Sequence, residues 1–465
     1  MTVAAPVFSS STPNSGSLRL SRSLGRDLRL MRAMLCNPLD SLPPETFTAS
    51  MVRSRVLGRD VVHIMDPELV QAALSGEAAN LDKGDAVRRP LGAALGEGLL
   101  TAEGDDWRWQ RRAIAPVFRA NGLDRFLPAM IAHAEAARER LRDLKPDSIV
   151  TINHEMMRLT FDIIVETMLS GSKGFDASEV EAEVTEYLRL TRWSSLAALA
   201  GAPEWTPYPG RRRSAALAGA LRRRVEARVA ARRAEGTKRD DLIDLLLRAE
   251  DPQTGRRMTD TEIGDNLLTF LTAGHETTAL GLAWTLDLLG RHPEIAARVR
   301  AEIAEVTQGA PVSCAHIAAL PYTRQVFQEA LRLYPPAAII PRRVNKSFEL
   351  GGDSLAAGTL LLVPIYAIHR HKTLWEAPHV FDPERFEPGQ VASRHRYAYM
   401  PFGAGPRICI GAGFAMLEAV AILAVLLRDL RFIAINPQPP APRLDITLRP
   451  MQPLMMKVAP EALHE

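Results

Sequence analysis

The most constraining feature of this chain of 465 residues is a ten-residue stretch, Phe402-Gly403-Ala404-Gly405-Pro406-Arg407-Ile408-Cys409-Ile410-Gly411. Gly403, Gly405 and Gly411 crowd one cysteine, and a side chain at those positions would fill the space that a flat partner of the sulfur needs. Pro406 stiffens the loop. Beyond Gly411, the residues Phe414, Leu417, Ala421 and Val425 recur every three to four positions, which predicts a helix starting just after the loop. Cys409 then precedes a helix N-terminus, whose partial positive charge and free N–H groups stabilise a thiolate. A lone cysteine in a turn would read as a buried structural residue. In this setting Cys409 reads as a thiolate ligand to haem iron, with nearby N–H groups tuning the metal through the sulfur. Phe402 packs against the ligand, and Arg407 reaches a haem propionate.

The stretch resembles the haem-binding loop of the cytochromes P450, whose pattern Phe-x-x-Gly-x-Arg-x-Cys-x-Gly is met at Phe402, Gly405, Arg407, Cys409 and Gly411. Composition agrees with a large globular chain: 46% hydrophobic, 24% charged and a net charge of +3, which does not suit a nucleic-acid binder. Cys36, Cys314 and Cys409 lie far apart, so neither a zinc cluster nor a disulfide framework is expected. No apolar run approaches the roughly 18 to 20 residues needed to span a bilayer, so a transmembrane anchor is not expected and a soluble, cytoplasmic protein is. Residues 1–16 read as a disordered tail and Leu18 to Leu35 as an amphipathic helix. That Arg-rich start is read as the first helix of the domain, with a transit segment or a membrane-surface helix as the alternative.

Further along, Val61 to Met65 reads as a strand, and Asp66-Pro67 opens a helix through Leu74. Leu81 to Leu100 reads as a glycine-rich loop that, by the resemblance, lines the substrate pocket. Trp107 and Arg111 are four apart on one helix face, a clamp for a carboxylate, and resemble the family's propionate-binding Trp-x-x-x-Arg. Trp193 to Pro209 reads as an apolar, Pro-containing loop that, by the resemblance, joins two helices forming a lid over the pocket. Arg211 to Arg213 and Arg222 to Arg224 read as solvated helix faces, since they lack interleaved aromatics.

Thr259 to Leu289 reads as one long helix of roughly 45 Å, opened by a Thr259/Glu262 capping box and stopped at Gly290. Its middle, Ala273-Gly274-His275-Glu276-Thr277-Thr278, is rich in poor helix formers, a local conflict that marks function. A metalloprotease His-Glu-x-x-His is excluded by Ala279. The segment resembles the family's oxygen-activating motif. Ala273 and Gly274 would then face the cofactor, Gly274 leaving room for a diatomic ligand. Thr277 would offer a hydroxyl and Glu276 relay protons from solvent. A Thr277 bond back to the carbonyl one turn earlier is the structural alternative.

Glu329 and Arg332, three apart, resemble the family's Glu-x-x-Arg pair, with Arg385 as third member of a structural triad supporting the cysteine loop. Arg342 matches a position that contacts a propionate, and Ala337 to Ile340 would line the pocket. Leu360 to Ile365, Ile446 to Leu448 and Leu454 to Val458 read as β-rich pieces.

The resemblance implies a mainly α fold with a smaller β region, a long central helix lying over haem b, and one haem domain over residues 17–465. It implies a monooxygenase that inserts one atom of O2 into a hydrophobic molecule. Thiolate donation favours O–O cleavage. No Gly-x-Gly-x-x-Gly fingerprint follows a strand, so NAD(P)H-derived electrons are expected through a separate ferredoxin or flavodoxin with its reductase. Arg108, Arg112 and Lys372 are candidate docking cations. A peroxide-using haem-thiolate enzyme and a non-catalytic haem sensor are the rival classes.

Overall fold

In the computed structural model the long helix is the axis on which the other layers pack. Described are residues 18–19, 33, 36–56, 58–145, 148–169, 177–199, 201–236, 239 and 241–460. The tail 1–16 and most of the helix expected over 18–35 lie outside them. Leu18–Arg19 is not helical: it forms the short strand β1.

The principal helices in chain order are α1 Pro67–Gln71, α2 Asp85–Leu95, α3 Gly104–Ile114 and α4 Leu127–Arg142. There follow α5 Ile152–Leu169, α6 Ala177–Leu199, α7 Arg211–Glu235 and α8 Asp260–Arg291. Last come α9 Pro293–Thr307, α10 Pro321–Leu333 and α11 Ala412–Asp429. Strands β2 Met51–Val56, β3 Arg59–Ile64, β4 Leu81–Asp82, β6 Ile340–Val344 and β9 Leu360–Val363 join β1 in a six-stranded sheet ordered β1-β2-β3-β9-β6-β4. Here β5 is Ile149–Thr151, and the hairpin β7 Phe348–Leu350 with β8 Asp353–Leu355 stands apart. After α11 come β10 Leu430–Ala434, β11 Pro442–Leu444, β12 Leu448–Pro450 and β13 Met455–Pro460. The order β10-β13-β5 makes a second sheet, and β11 pairs with β12.

Helix α8 opens as its sequence dictates. Thr259 Oγ1 accepts from the Glu262 N–H at 3.3 Å, and the Glu262 carboxylate accepts from the Thr259 N–H at 2.8 Å. It is buried along most of its length and packs against α5, α7, α10 and β10. An all-round apolar helix belongs in a core. Its end differs from expectation. Gly290 is inside the helix, and an added Cβ there would meet Met456 Cε at 2.6 Å and the Ala434 N at 2.9 Å. The glycine serves close packing on the second sheet, so the helix runs on to Arg291.

Three other expectations are corrected. The stretch 81–100 holds α2, whose residues Asp85–Leu95 stay helical around an internal Pro90. The loop expected from Trp193 begins only after Leu199, because α6 carries on to that residue. The β-rich piece expected at Ile446 to Leu448 falls mostly on the turn of the β11–β12 hairpin.

Two buried carboxyl groups have opposite surroundings. Glu329 is bound in a bidentate pair by Arg332, at 2.6 and 2.7 Å, with both side chains fully buried. Glu418 of α11 is also fully buried, with no cation paired to it among the described residues and only the Thr278 hydroxyl beside it. Burial therefore pushes its carboxyl up to about 8, with the Thr278 hydroxyl opposing in part. Below its ordinary value of 4.5 Glu418 is neutral in both states and costs nothing. As pH rises towards about 8 the unfolded chain ionises first, so stability is lost.

We expect Glu418→Gln to become more stable relative to the parent by up to about 1.4 kcal/mol per pH unit across that window, and by nothing more above or below it. Denaturant titrations at several pH values check this, and parallel curves for the two proteins would count against it. Glu329→Gln should instead cost roughly 3–5 kcal/mol at neutral pH, because it strands the buried Arg332 charge; the same titrations read it.

Candidate active site

A cavity of about 410 Å³ lies between the middle of α8 and the cysteine loop. Ala273, Gly274, Thr277 and Thr278 face it from α8. From below it is lined by Phe402, Gly403, Arg407, Cys409 and Gly411. Val87, Leu99, Phe118, Ile164 and Phe270 close the sides, so the walls are chiefly apolar.

The loop's shape follows from its glycines. Gly405 has φ +71°, and an added Cβ would collide with the Leu74 carbonyl; Gly403 has φ +74°. Only glycine takes both the left-handed backbone and that close approach. The Cys409 N–H donates to the Phe402 carbonyl at 2.9 Å, which turns the sulfur into the cavity. Cys409 is open to the cavity yet deep in the protein, and that depth raises its thiol above its ordinary value, while a Gly411 N–H bond and the Arg111 charge pull it down. A cationic partner at the sulfur would add to that pull.

At one edge of the cavity stand Lys83, Trp107, Arg111, Arg342 and Arg407. The Arg407 guanidinium lies 4.3 Å from the Trp107 ring centre, donates to the Ala102 carbonyl at 2.8 Å and pairs with Glu103. Lys83 donates to the Leu100 carbonyl. Burial, and then repulsion from Arg407 and Arg342, push its ammonium down to about 7. Arg342 is pushed down to about 10 by burial and by Arg407. Lys83, Arg342 and Arg407 thus crowd together beside Glu103, and Arg111 stands at the same cavity edge. A group bearing two carboxylates would relieve that repulsion, and the two propionates of a haem, with its iron over Cys409, fit this donor set.

Trp107, Arg111, Ala273, Gly274, Thr277, Arg342, Phe402, Gly403, Arg407, Cys409 and Gly411 are therefore brought to one cavity. Gly274 has a second constraint: an added Cβ would meet Ile164 Cδ1 at 2.7 Å. Thr277 Oγ1 donates to the Ala273 carbonyl at 2.7 Å, the bond the structural alternative calls for. Glu276 is not at the cavity. It is buried behind α8, where the Arg449 Nε donates to it at 2.7 Å and Thr447 donates as well.

Glu329, Arg332 and Arg385 also meet, with Arg385 Nε 3.5 Å from Glu329 Oε1. Sequence reasoning missed what connects them to the loop. Arg332 donates to the His369 carbonyl at 2.8 Å, His369 Nδ1 lies 3.2 Å from the Arg332 carbonyl, and His369 Nε2 accepts from the Met400 N–H at 3.0 Å. Burial, Arg332 and Arg370 push His369 well below its ordinary value, so it stays neutral and Nε2 is free to accept. Lys83 and Arg449 were missed too. Neither lies in a periodic segment or a spaced motif, so only the folded chain shows their position.

Of the candidate docking cations, Arg112 is committed elsewhere: it forms a bidentate pair, both bonds 2.8 Å, with the fully buried Asp251. Arg108 pairs with Asp105 on its own helix. Lys372 is exposed, its N–H donating to the Phe47 carbonyl.

No described helix is long and apolar enough to cross a membrane. The cytochrome P450 family model matches residues 45–458. A cyclooctat-9-en-7-ol 5-monooxygenase of Streptomyces melanosporofaciens is 36% identical, over 77% of each chain. Cyclooctatin synthase of the same organism is 32% identical over 90% of this chain and 91% of its own. Pentalenene oxygenase of Streptomyces avermitilis is 31% identical over 86% and 87%. The chain belongs to the cytochrome P450 family: it is a haem-dependent monooxygenase that takes O2 and NAD(P)H-derived electrons, passed on by redox partners, to oxidise a hydrophobic substrate.

Proposed function

We propose that this monooxygenase hydroxylates a cyclic terpenoid, and that Cys409 would supply the thiolate that ligates haem b. The observation that carries the reading is a single cavity with Cys409 at its floor, four cations at one edge and hydrocarbon side walls. The names of the three relatives point the same way, since each denotes action on, or formation of, a terpenoid ring system. When bound, haem supplies the oxidising chemistry. The protein's part is to hold it, exclude water and move protons.

Arg111, Arg342, Arg407, Lys83 and Trp107 would hold the propionates. The pair Glu329–Arg332, with Arg385, fixes the loop that carries Cys409. Thr277 turns its hydroxyl from the Ala273 carbonyl into the cavity and delivers a proton there. Glu276 resupplies it. Arg449, itself partly exposed, bonds Glu276 at 2.6 and 2.7 Å and holds it away from the cavity until it turns towards Thr277. An acidic ferredoxin or flavodoxin, served by a reductase, delivers the electrons. Arg108 is retained as a docking residue, whereas Arg112 is not, because charge reversal there would strand buried Asp251.

Thr277→Ala and Glu276→Gln should each lower product formation about 10²-fold, the scale of a lost proton-transfer group. Oxygen should still be consumed, leaving as peroxide. Arg449→Ala should fall between these variants and the parent. Product and oxygen measured together, with cyclic sesquiterpenes and diterpenes as substrates, test the assignment. Unchanged product per oxygen in Thr277→Ala would overturn the proton role, and turnover of linear fatty acids alone would overturn the substrate class.

A further inference from the structure

The cavity wall at Leu99–Leu100 is held by more than the apolar packing of its own side chains. Its backbone is fastened to α8 from one side and to the cation cluster from the other. The Leu99 N–H donates to Asn266 Oδ1 at 3.0 Å, and the Glu97 N–H to Asp265 Oδ2 at 2.9 Å. On the far side, Lys83 donates to the Leu100 carbonyl. Asn266 and Gln110 are both buried. Asn266 Nδ2 donates to Gln110 Oε1 at 2.7 Å, and Gln110 Nε2 to the Glu97 carbonyl at 2.9 Å, so the ring closes on itself. Buried side-chain networks of this kind are worth having only when every member is satisfied.

Two glycines let the segment lie this close. Gly96 has φ +53°, and an added Cβ would run into the Asp265 carboxylate; at Gly98 one would meet the Asp265 carbonyl at 2.6 Å. The network also reaches the roof. Arg222 of α7 lies 2.8 Å from Asp265 Oδ1 and donates to the Ala94 carbonyl at the end of α2, 3.1 Å away. This arginine, expected on a solvated face, instead ties α7 and α2 to the same aspartate.

We propose that Asn266 and Asp265 are positioning residues that set the shape of the substrate pocket. They fix where Leu99 and Leu100 stand in the cavity wall, and Arg222 makes that placement depend on α7. Ligand fit and the position of the roof helix are therefore read together. The inference rests on the haem site described above, and the test separates the two.

Three variants decide it: Asn266→Ala, Asn266→Asp, which keeps an acceptor for Leu99 but loses the donor to Gln110, and Arg222→Ala. The reduced carbon monoxide spectrum of each first reports whether the haem site is intact. Hydrogen exchange then reads the Glu97 and Leu99 amides, and optical titration gives dissociation constants for imidazole and 1-phenylimidazole. In Asn266→Ala we expect exchange at Leu99 to quicken about tenfold or more. The ratio of the two constants should move about tenfold as the wall relaxes. Arg222→Ala, which removes a residue outside the cavity lining, should quicken Glu97. Asn266→Asp should show a smaller change of the same sign, and decides the matter if Asn266→Ala does not fold. An intact carbon monoxide spectrum with unchanged exchange and an unchanged ratio would overturn the proposal. Loss of that spectrum in the parent protein would instead overturn the haem reading.

Discussion

The guanidinium of Arg332 is the fixed point of this structure. Its five N–H donors are all spent: two on Glu329 and one each on the carbonyls of His369, Pro378 and Val380. A charge this deep is tolerated only when it is paired and every donor is used. The consequence is geometric. Satisfying Arg332 gathers three distant carbonyls to α10 and places His369 so that its neutral ring receives the Met400 N–H, two residues before Phe402. A buried ion pair is thereby converted into the placement of a cysteine.

Above that floor, α8 does two jobs that ask for different residues. Its outer length is apolar and fills the core between α5, α7, α10 and β10. Its middle gives up helix propensity at Gly274, Thr277 and Thr278 to line a cavity, and about two turns earlier Asp265 and Asn266 bind the backbone of the opposite wall. The helix survives this because its burial and its capping box outweigh the weak propensity of a few residues. Polar groups on a buried helix are costly, and each of these earns its place by bonding a specific neighbour.

Much of the site was legible because its chemistry compresses into short spacings. Cys409 with its glycines, Trp107 with Arg111, and Glu329 with Arg332 are each contained within ten residues, where the backbone dictates who meets whom. What could not be read depends on segments meeting across the fold. Lys83 and Arg449 reach their partners from turns and short strands with no periodic signal. His369 is a single ring among eleven histidines until Arg332 fixes it. Gly290 shows the converse error: a glycine near a helix end suggests a stop, but this one yields to the tertiary need for close contact with Ala434. The helix α2 was hidden for a related reason, since Pro90 and four glycines in twenty residues are local signs of a loop that packing overrides.

The central claim is that Cys409 is an iron thiolate, and the most direct measurement is the carbon monoxide difference spectrum of the purified, reduced protein. The account predicts the strongly red-shifted Soret band that thiolate ligation gives, and its loss in Cys409→Ala. A Soret band like that of a histidine-ligated haem, or well-folded protein that takes up no haem, would contradict it.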